Sequence, residues 1–246
     1  MPRDWDAETY DRIADPQFRW GLAVLDRLEL RGDETVLDAG CGSGRVTEAL
    51  VERLPDGRVV AFDGSPSMID RARERLGRFG DRVTFVVGDL LEPLDVEPVD
   101  AIFSTATFHW VIDHDRLFAN LAATTRPGGR LVAQCGGHRN LATVTRALEE
   151  LGAPTFEGNK VFASAEETAD RLRRAGYTEV RCWLHDEPTP FESSEELAEF
   201  LRTVALGAHV ASMSPQDADA FSLEVARRLP APELDYVRLN IGATKA

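Results

Sequence analysis

Cysteine is scarce in this chain. Cys41, Cys135 and Cys182 are an odd number with no CxxC spacing, which argues against a disulfide framework and a cysteine-built zinc centre. Cys41 and Cys135 read better as small packing residues than as nucleophiles. Long apolar runs are missing too: none approaches the ~18 residues of a membrane span. The opening Met1-Pro2-Arg3-Asp4-Trp5-Asp6 has no apolar signal-peptide core, so a cytoplasmic protein is expected. Basic residues are outnumbered, with 28 Lys and Arg against 42 Asp and Glu and a formal net charge of −14. Such a surface repels phosphate backbones, so a nucleic-acid partner is not expected. There is no internal repeat and no low-complexity stretch. At 246 residues and 43% hydrophobic content, the chain is long enough for one sizeable core.

What is present is a rhythm of strands and helices. Val36-Leu37 is a short apolar run ending at Asp38, then come Gly40, Gly42 and Gly44, then a helical pattern from Arg45 to Leu54. Strand, glycine turn and helix together form the ligand-binding opening of a doubly wound α/β sheet. Glycine suits such a turn because it takes backbone angles closed to other residues and lets a ligand approach the main chain. The spacing Gly40-x-Gly42-x-Gly44 is not the G-x-G-x-x-G dinucleotide fingerprint, and it lacks the Lys-Ser/Thr of a P-loop. A nicotinamide-dependent dehydrogenase is therefore disfavoured.

Further strands are predicted at 58–62, 83–87, 99–104 and 130–134, with helices at 16–28, 66–76, 115–124 and 141–151. Strands joined by helices of this length need crossovers, so the sheet is mostly parallel. Ser65 is a plausible N-cap with Pro66 at the favoured first helical position. Beyond residue 151 the rhythm breaks: a helix at 165–175, a strand at 180–185, two amphipathic helices at 193–206 and 215–229, and a last strand at 235–244.

Val36-Leu37-Asp38-Ala39-Gly40-Cys41-Gly42-Ser43-Gly44 resembles motif I of the class I S-adenosylmethionine-dependent methyltransferases, [VI]-L-D-x-G-C-G-x-G, without departure. The missing phosphate signature agrees, since that cofactor has no phosphate. The resemblance implies a seven-stranded, mostly parallel Rossmann-like sheet with an antiparallel last strand and a helical insertion before it. Segments 1–34 (lid), 35–187 (cofactor-binding core), 188–234 (insertion) and 235–246 (final strand) follow from it. It also implies S-adenosyl-L-methionine as cofactor. Asp38, Gly40, Cys41, Gly42 and Gly44 would line its amino-acid tail, with Asp38 carrying charge toward the ammonium. Asp63 would meet the ribose hydroxyls, Gly64, Ser65 and Met68 would follow it with Met68 against the adenine, and Asp89 and Leu90 would contact the adenine edge. Thr105 closes the set. Pro127-Gly128-Gly129 is read as a tight turn.

Phe108-His109-Trp110-Val111 with Asp113-His114 resembles a subset of class I enzymes that includes trans-aconitate 2-methyltransferase, juvenile hormone acid methyltransferase and the malonyl-carrier-protein methyltransferase of biotin synthesis. All three esterify carboxylates. The resemblance makes His109 and Trp110 catalytic and acceptor-contacting candidates, and Trp5 and Tyr10 an amino-terminal segment closing over the site. His109 would orient a carboxylate or act as a base for a hydroxyl or carbon acid; both roles stay open. Arg19, Arg139 and Arg238 are candidates for an acidic acceptor. The expected partner is a small-molecule methyl acceptor, with no metal and no membrane, on a monomer or homodimer. Alternatives are O- or C-methylation of a natural-product intermediate or carrier-bound acid, and cofactor binding without catalysis. Nucleobase or protein nitrogen is disfavoured because Ser104-Thr105-Ala106-Thr107 stands where an Asn-Pro-Pro-Tyr-like motif would be.

Overall fold

The computed structural model describes residues 15–246. Helix α1 (Asp15–Leu25) leads into β1 (Thr35–Ala39), α2 (Arg45–Glu52), β2 (Arg58–Asp63), α3 (Pro66–Leu76), β3 (Val83–Val87) and β4 (Val99–Thr105). A 3₁₀ turn (Phe108–Trp110) precedes α4 (His114–Thr124), β5 (Thr125–Gly136), α5 (Ala142–Glu150), α6 (Ala165–Arg174) and β6 (Tyr177–Asp186). Then come β7 (Thr189–Pro190), α7 (Ser194–Phe200), a π turn (Leu201–Ala205), α8 (Gly207–Val210), α9 (Pro215–Arg228), β8 (Glu233–Leu234) and β9 (Val237–Lys245).

Seven strands form one sheet in the order β3-β2-β1-β4-β5-β9-β6. The pairs from β3 to β5 are parallel, and β9 runs antiparallel to both β5 and β6. The class I arrangement expected from the sequence is the observed one. Period-two alternation sends Leu37, Ala39 and Ile102 into one core layer and Val36, Ala101 and Phe103 into the other. Helices cover both faces, which is why the central strands read as near-continuous apolar runs.

Boundaries shift where turn chemistry overrides pattern. α1 ends at Leu25, not at residue 28, because Arg27 and Leu28 donate to Val24 and Leu25 at 3.1 Å in three-residue turns. The Pro127-Gly128-Gly129 turn lies inside β5 as an irregularity: Val99 faces Thr125, and the next pair is Ala101 with Arg130. The helix expected over 193–206 changes to a π turn at Leu201. The two-stranded ribbon β7–β8 closes the base of that insertion. The insertion's apolar residues Leu197, Phe200, Leu201 and Leu206 pack with Leu141, Val144 and Leu148 of the α5 region, forming a third core layer.

Candidate active site

Parallel strands carry their carboxyl ends to one edge of a sheet, and ligands gather there. Here that edge opens onto a cleft of about 480 Å³. One wall is main chain. Gly40 and Cys41 donate their N–H groups to the Phe62 carbonyl at 2.8 and 3.0 Å, tying the glycine turn to the end of β2. Gly40 has φ +92°, and a Cβ there would sit 2.1 Å from Thr107 Oγ1. Gly42 (φ +54°) has nothing within 4 Å of its missing Cβ, so its backbone faces open space. Its N–H donates to Asp63 Oδ2 at 2.9 Å, while Ser65 N–H donates to Asp63 Oδ1 at 2.9 Å. Each Asp63 oxygen thus takes one backbone donor, and a carboxylate oxygen accepts more than one.

Of the residues expected around the cofactor, Gly40, Gly42, Asp63, Gly64, Met68, Asp89, Leu90 and Thr105 line the cleft. Asp89 Oδ1 also accepts from Leu91 N–H at 3.0 Å. Asp38, Cys41, Gly44 and Ser65 stand behind the wall. Asp38 is buried and accepts from Thr47 Oγ1 at 2.7 Å. Burial, opposed by that bond and aided by the Asp63 charge, pushes its carboxyl up to about 7. The carboxyl expected to carry charge toward an ammonium is bonded into the β1–α2 connection. Burial likewise raises the Cys41 thiol well above its ordinary value, as suits a packing residue. Gly44 starts α2 at φ +82°. Ser65 caps α3 by accepting from Met68 N–H at 3.3 Å.

The opposite wall is made of side chains. Ala106, between Thr105 and Thr107, holds a left-handed φ of 55°. It turns the chain out of β4 into the 3₁₀ turn that presents His109 and Trp110 to the cleft. Gly136 N–H donates to His109 Nδ1 at 3.3 Å. Desolvation lowers the His109 pKa well below the usual histidine range, and the Arg238 and Lys160 charges push the same way. The imidazole is therefore neutral at pH 7 and, with Nδ1 accepting, carries its proton on Nε2. The ring stacks with Phe162 at 5.9 Å and lies 5.3 Å from Trp110.

Two buried cations share this wall. Lys160 Nζ donates to the Ala205 carbonyl at 3.0 Å and lies 3.9 Å from the Phe156 ring centre and 4.5 Å from that of Trp110. Arg238 lies 4.6 Å from the Trp20 ring centre, and its Nε donates to Gln134 Oε1 at 3.3 Å. Of the three arginines considered from sequence, only Arg238 lines the cleft; Arg19 and Arg139 are exposed and off the wall. Lys160 carried no motif. Its signal was compositional: Lys160 and Lys245 are the chain's only lysines. Trp5 and Tyr10 lie outside the described residues.

Among the described residues no three His, Cys, Asp or Glu side chains gather as a metal site, and no helix is long and apolar enough to cross a membrane. Residues 36–129 match the family model described as a methyltransferase domain. The trans-aconitate 2-methyltransferase of Methylobacterium nodulans is 33% identical over 181 residues, 74% of this chain and 67% of that protein. That of Azoarcus sp. is 39% identical over 130 residues, about half of each chain (53% and 50%). That of Mycolicibacterium gilvum is 28% identical across 98% of this chain and 94% of its own. A solved phosphoethanolamine N-methyltransferase 2 of Haemonchus contortus superposes with a TM-score of 0.66 at 20% identity, covering 97% of this chain and 56% of that one. The [4+2]-cyclase SpnF superposes at 0.64 with 19% identity, over 93% of this chain and 81% of its own; both show the fold alone.

The chain belongs to the class I S-adenosylmethionine-dependent methyltransferases. Within that class its sequence relatives include the trans-aconitate 2-methyltransferases, and its cofactor is S-adenosylmethionine. The residues of the first wall fit that group: an open glycine backbone, two acidic strand ends, and the apolar Met68 and Leu90 beside them.

Proposed function

We propose that the chain methylates a carboxylate oxygen of a small acid. The observation that carries this reading is that His109 and two buried cations, Lys160 and Arg238, line the same cleft. Gly40, Gly42, Asp63, Gly64, Met68, Asp89, Leu90 and Thr105 would hold the cofactor, with Asp38, Cys41, Gly44 and Ser65 supporting them from behind. When bound, the cofactor supplies an electrophilic methyl on a cationic sulfur, which departs as a neutral thioether.

A carboxylate is ionised at pH 7 and needs no base, so the protein's task is to position and desolvate it. Arg238 and Lys160 supply charge, and charge-assisted bonds are the strong ones for a carboxylate. His109 Nε2–H donates to one acid oxygen and orients the other. The low pKa of His109 also makes it a poor base, because an efficient base titrates near the working pH. Trp110 covers the acceptor, and Trp5 and Tyr10 are proposed to close over it.

The test is to incubate the purified protein with radiolabelled S-adenosylmethionine and separate panels of small acids, phenols and amines. Trans-aconitate, the acceptor in its relatives' names, is the first acid to try. Label in a base-labile ester is the expected result; transfer only to phenols or amines refutes the reading. His109→Asn keeps an N–H donor, so the loss of rate on the acid should stay within about tenfold, no more than one hydrogen bond's worth. Near-total loss recovered at higher pH would contradict the orienting role.

A further inference from the structure

Resting on the reading just given, we infer that Arg27, Asn240 and Gln134 form a relay that positions Arg238 for the acceptor carboxylate. The four side chains come from three separate parts of the chain. Asn240 and Arg238 are two residues apart on β9 and share one face of the sheet. Gln134 on β5 stands opposite Asn240 in the strand register. Arg27 arrives from the turn after α1.

The donor and acceptor pattern runs one way. Arg27 Nη1 donates to Asn240 Oδ1 at 2.8 Å, and Gln134 Nε2 donates to the same oxygen at 2.9 Å. Asn240 Nδ2 donates to His185 Nδ1 at 3.0 Å and to the Arg238 carbonyl at 3.3 Å. Gln134 Oε1 is then left to accept from Arg238 Nε at 3.3 Å. Arginine only donates, whereas a primary amide can be turned over. Arg27 therefore dictates which end of Asn240 faces it. Asn240 in turn dictates which end of Gln134 faces it, and Gln134 must present oxygen to Arg238.

Burial gives this ordering force. Gln134, Arg238 and Asn240 are 6%, 3% and 2% exposed, so water does not readily substitute for a lost partner. Arg27 is itself anchored, with Nη2 donating to the Ala133 carbonyl at 3.1 Å and the guanidinium 5.1 Å from the Trp183 ring centre. A network built only to satisfy its own polar atoms would end at Gln134. This one ends on a cation that lines the cleft.

The test uses Asn240→Leu, which removes the shared acceptor, and Asn240→Asp, which keeps it for Arg27 and Gln134. The first readout is the arginine Nε–H NMR spectrum, with the Arg238 signal assigned by its absence in Arg238→Lys. The second is the KM and kcat for trans-aconitate. In Asn240→Leu the Arg238 signal should lose its exchange protection and KM should rise about tenfold, with kcat and cofactor Kd within about twofold, the pattern of a lost binding interaction. Asn240→Asp should retain the signal and most of the affinity. Should Asn240→Leu fail to fold, Gln134→Glu replaces it: the new carboxylate pairs with Arg238 and raises KM likewise. An unchanged Arg238 signal in Asn240→Leu, or a fall in kcat with KM unmoved, overturns the relay. If the wild-type protein methylates no acid, the preceding reading has failed, and the NMR signal still decides whether the relay holds Arg238.

Discussion

At the β1–β3 end of the cleft the wall is main chain and short acids; at the β4–β5–β9 end it is long side chains. The first end draws on two neighbouring stretches, Gly40 to Gly44 and Asp63 to Met68, plus the Asp89-Leu90 pair. Its contacts, such as Gly42 N–H to Asp63, join consecutive β-α units. The second end gathers His109, Lys160 and Arg238 from segments far apart in sequence. Each is held by a different neighbour: Gly136, Ala205 and Gln134. On the proposed reading, the shared cofactor takes the rigid, backbone-built seat and the acceptor meets side chains, which can be exchanged without moving the sheet.

Breaking the cofactor end should cost most. Gly40→Val places a side chain into Thr107 on a left-handed backbone, and such strain alone costs about 1–3 kcal/mol. Cofactor affinity by calorimetry should fall at least about 100-fold, if the strain and the clash together reach twice the 1.4 kcal/mol of a tenfold step. Thr107→Ala in the same chain should restore part of it. If Gly40→Val binds normally, the seat is not rigid and the comparison fails.

The buried acid behind that seat gives the next effect. Asp38 titrates near 7 in the folded chain against an ordinary 3.8. Between those values the folded state holds a proton that the unfolded state has released, so stability falls as pH rises through this window. The slope is at most about 1.4 kcal/mol per pH unit. Asp38→Asn removes the titration. The Tm difference between wild type and variant should therefore shrink or reverse in the variant's favour from pH 5 to pH 8. A constant difference would mean that Asp38 stays ionised.

At the proposed acceptor end, Arg238→Met should raise KM for the acid roughly 10- to 100-fold, the worth of a charge-assisted hydrogen bond. Cofactor Kd should stay put. A parallel loss of cofactor affinity would show that the two ends are one coupled site. The smallest change is Ser65→Ala, which removes the α3 cap behind the seat. It should lower unfolding free energy by about 1 kcal/mol, read by denaturant titration, with little effect on either KM.

The same division governs what was legible in the sequence. Strand ends and glycine turns are local, so Gly40, Gly42, Asp63 and Asp89 were readable as wall residues before any coordinates. Locality has a limit: Asp38 sits in the motif, but only the fold shows its carboxyl bonded to Thr47 behind the wall. Lys160 lies in a loop with no periodicity; Phe156 is its local neighbour, but nothing in the sequence announces Trp110. Arg19, Arg139 and Arg238 looked alike as residues. What separates them is position: Arg238 is buried on β9, inside the sheet, while the other two are exposed.

The sequence by itself determined the alternation of strands and helices, the glycine turn and the acidic strand ends, because backbone angles and side-chain periodicity are properties of adjacent residues. The tertiary structure decided the protonation of His109, the burial of Asp38 and the placing of Lys160 and Arg238 on one cleft. Each of these depends on groups brought together from distant segments, and desolvation and charge act through space rather than along the chain.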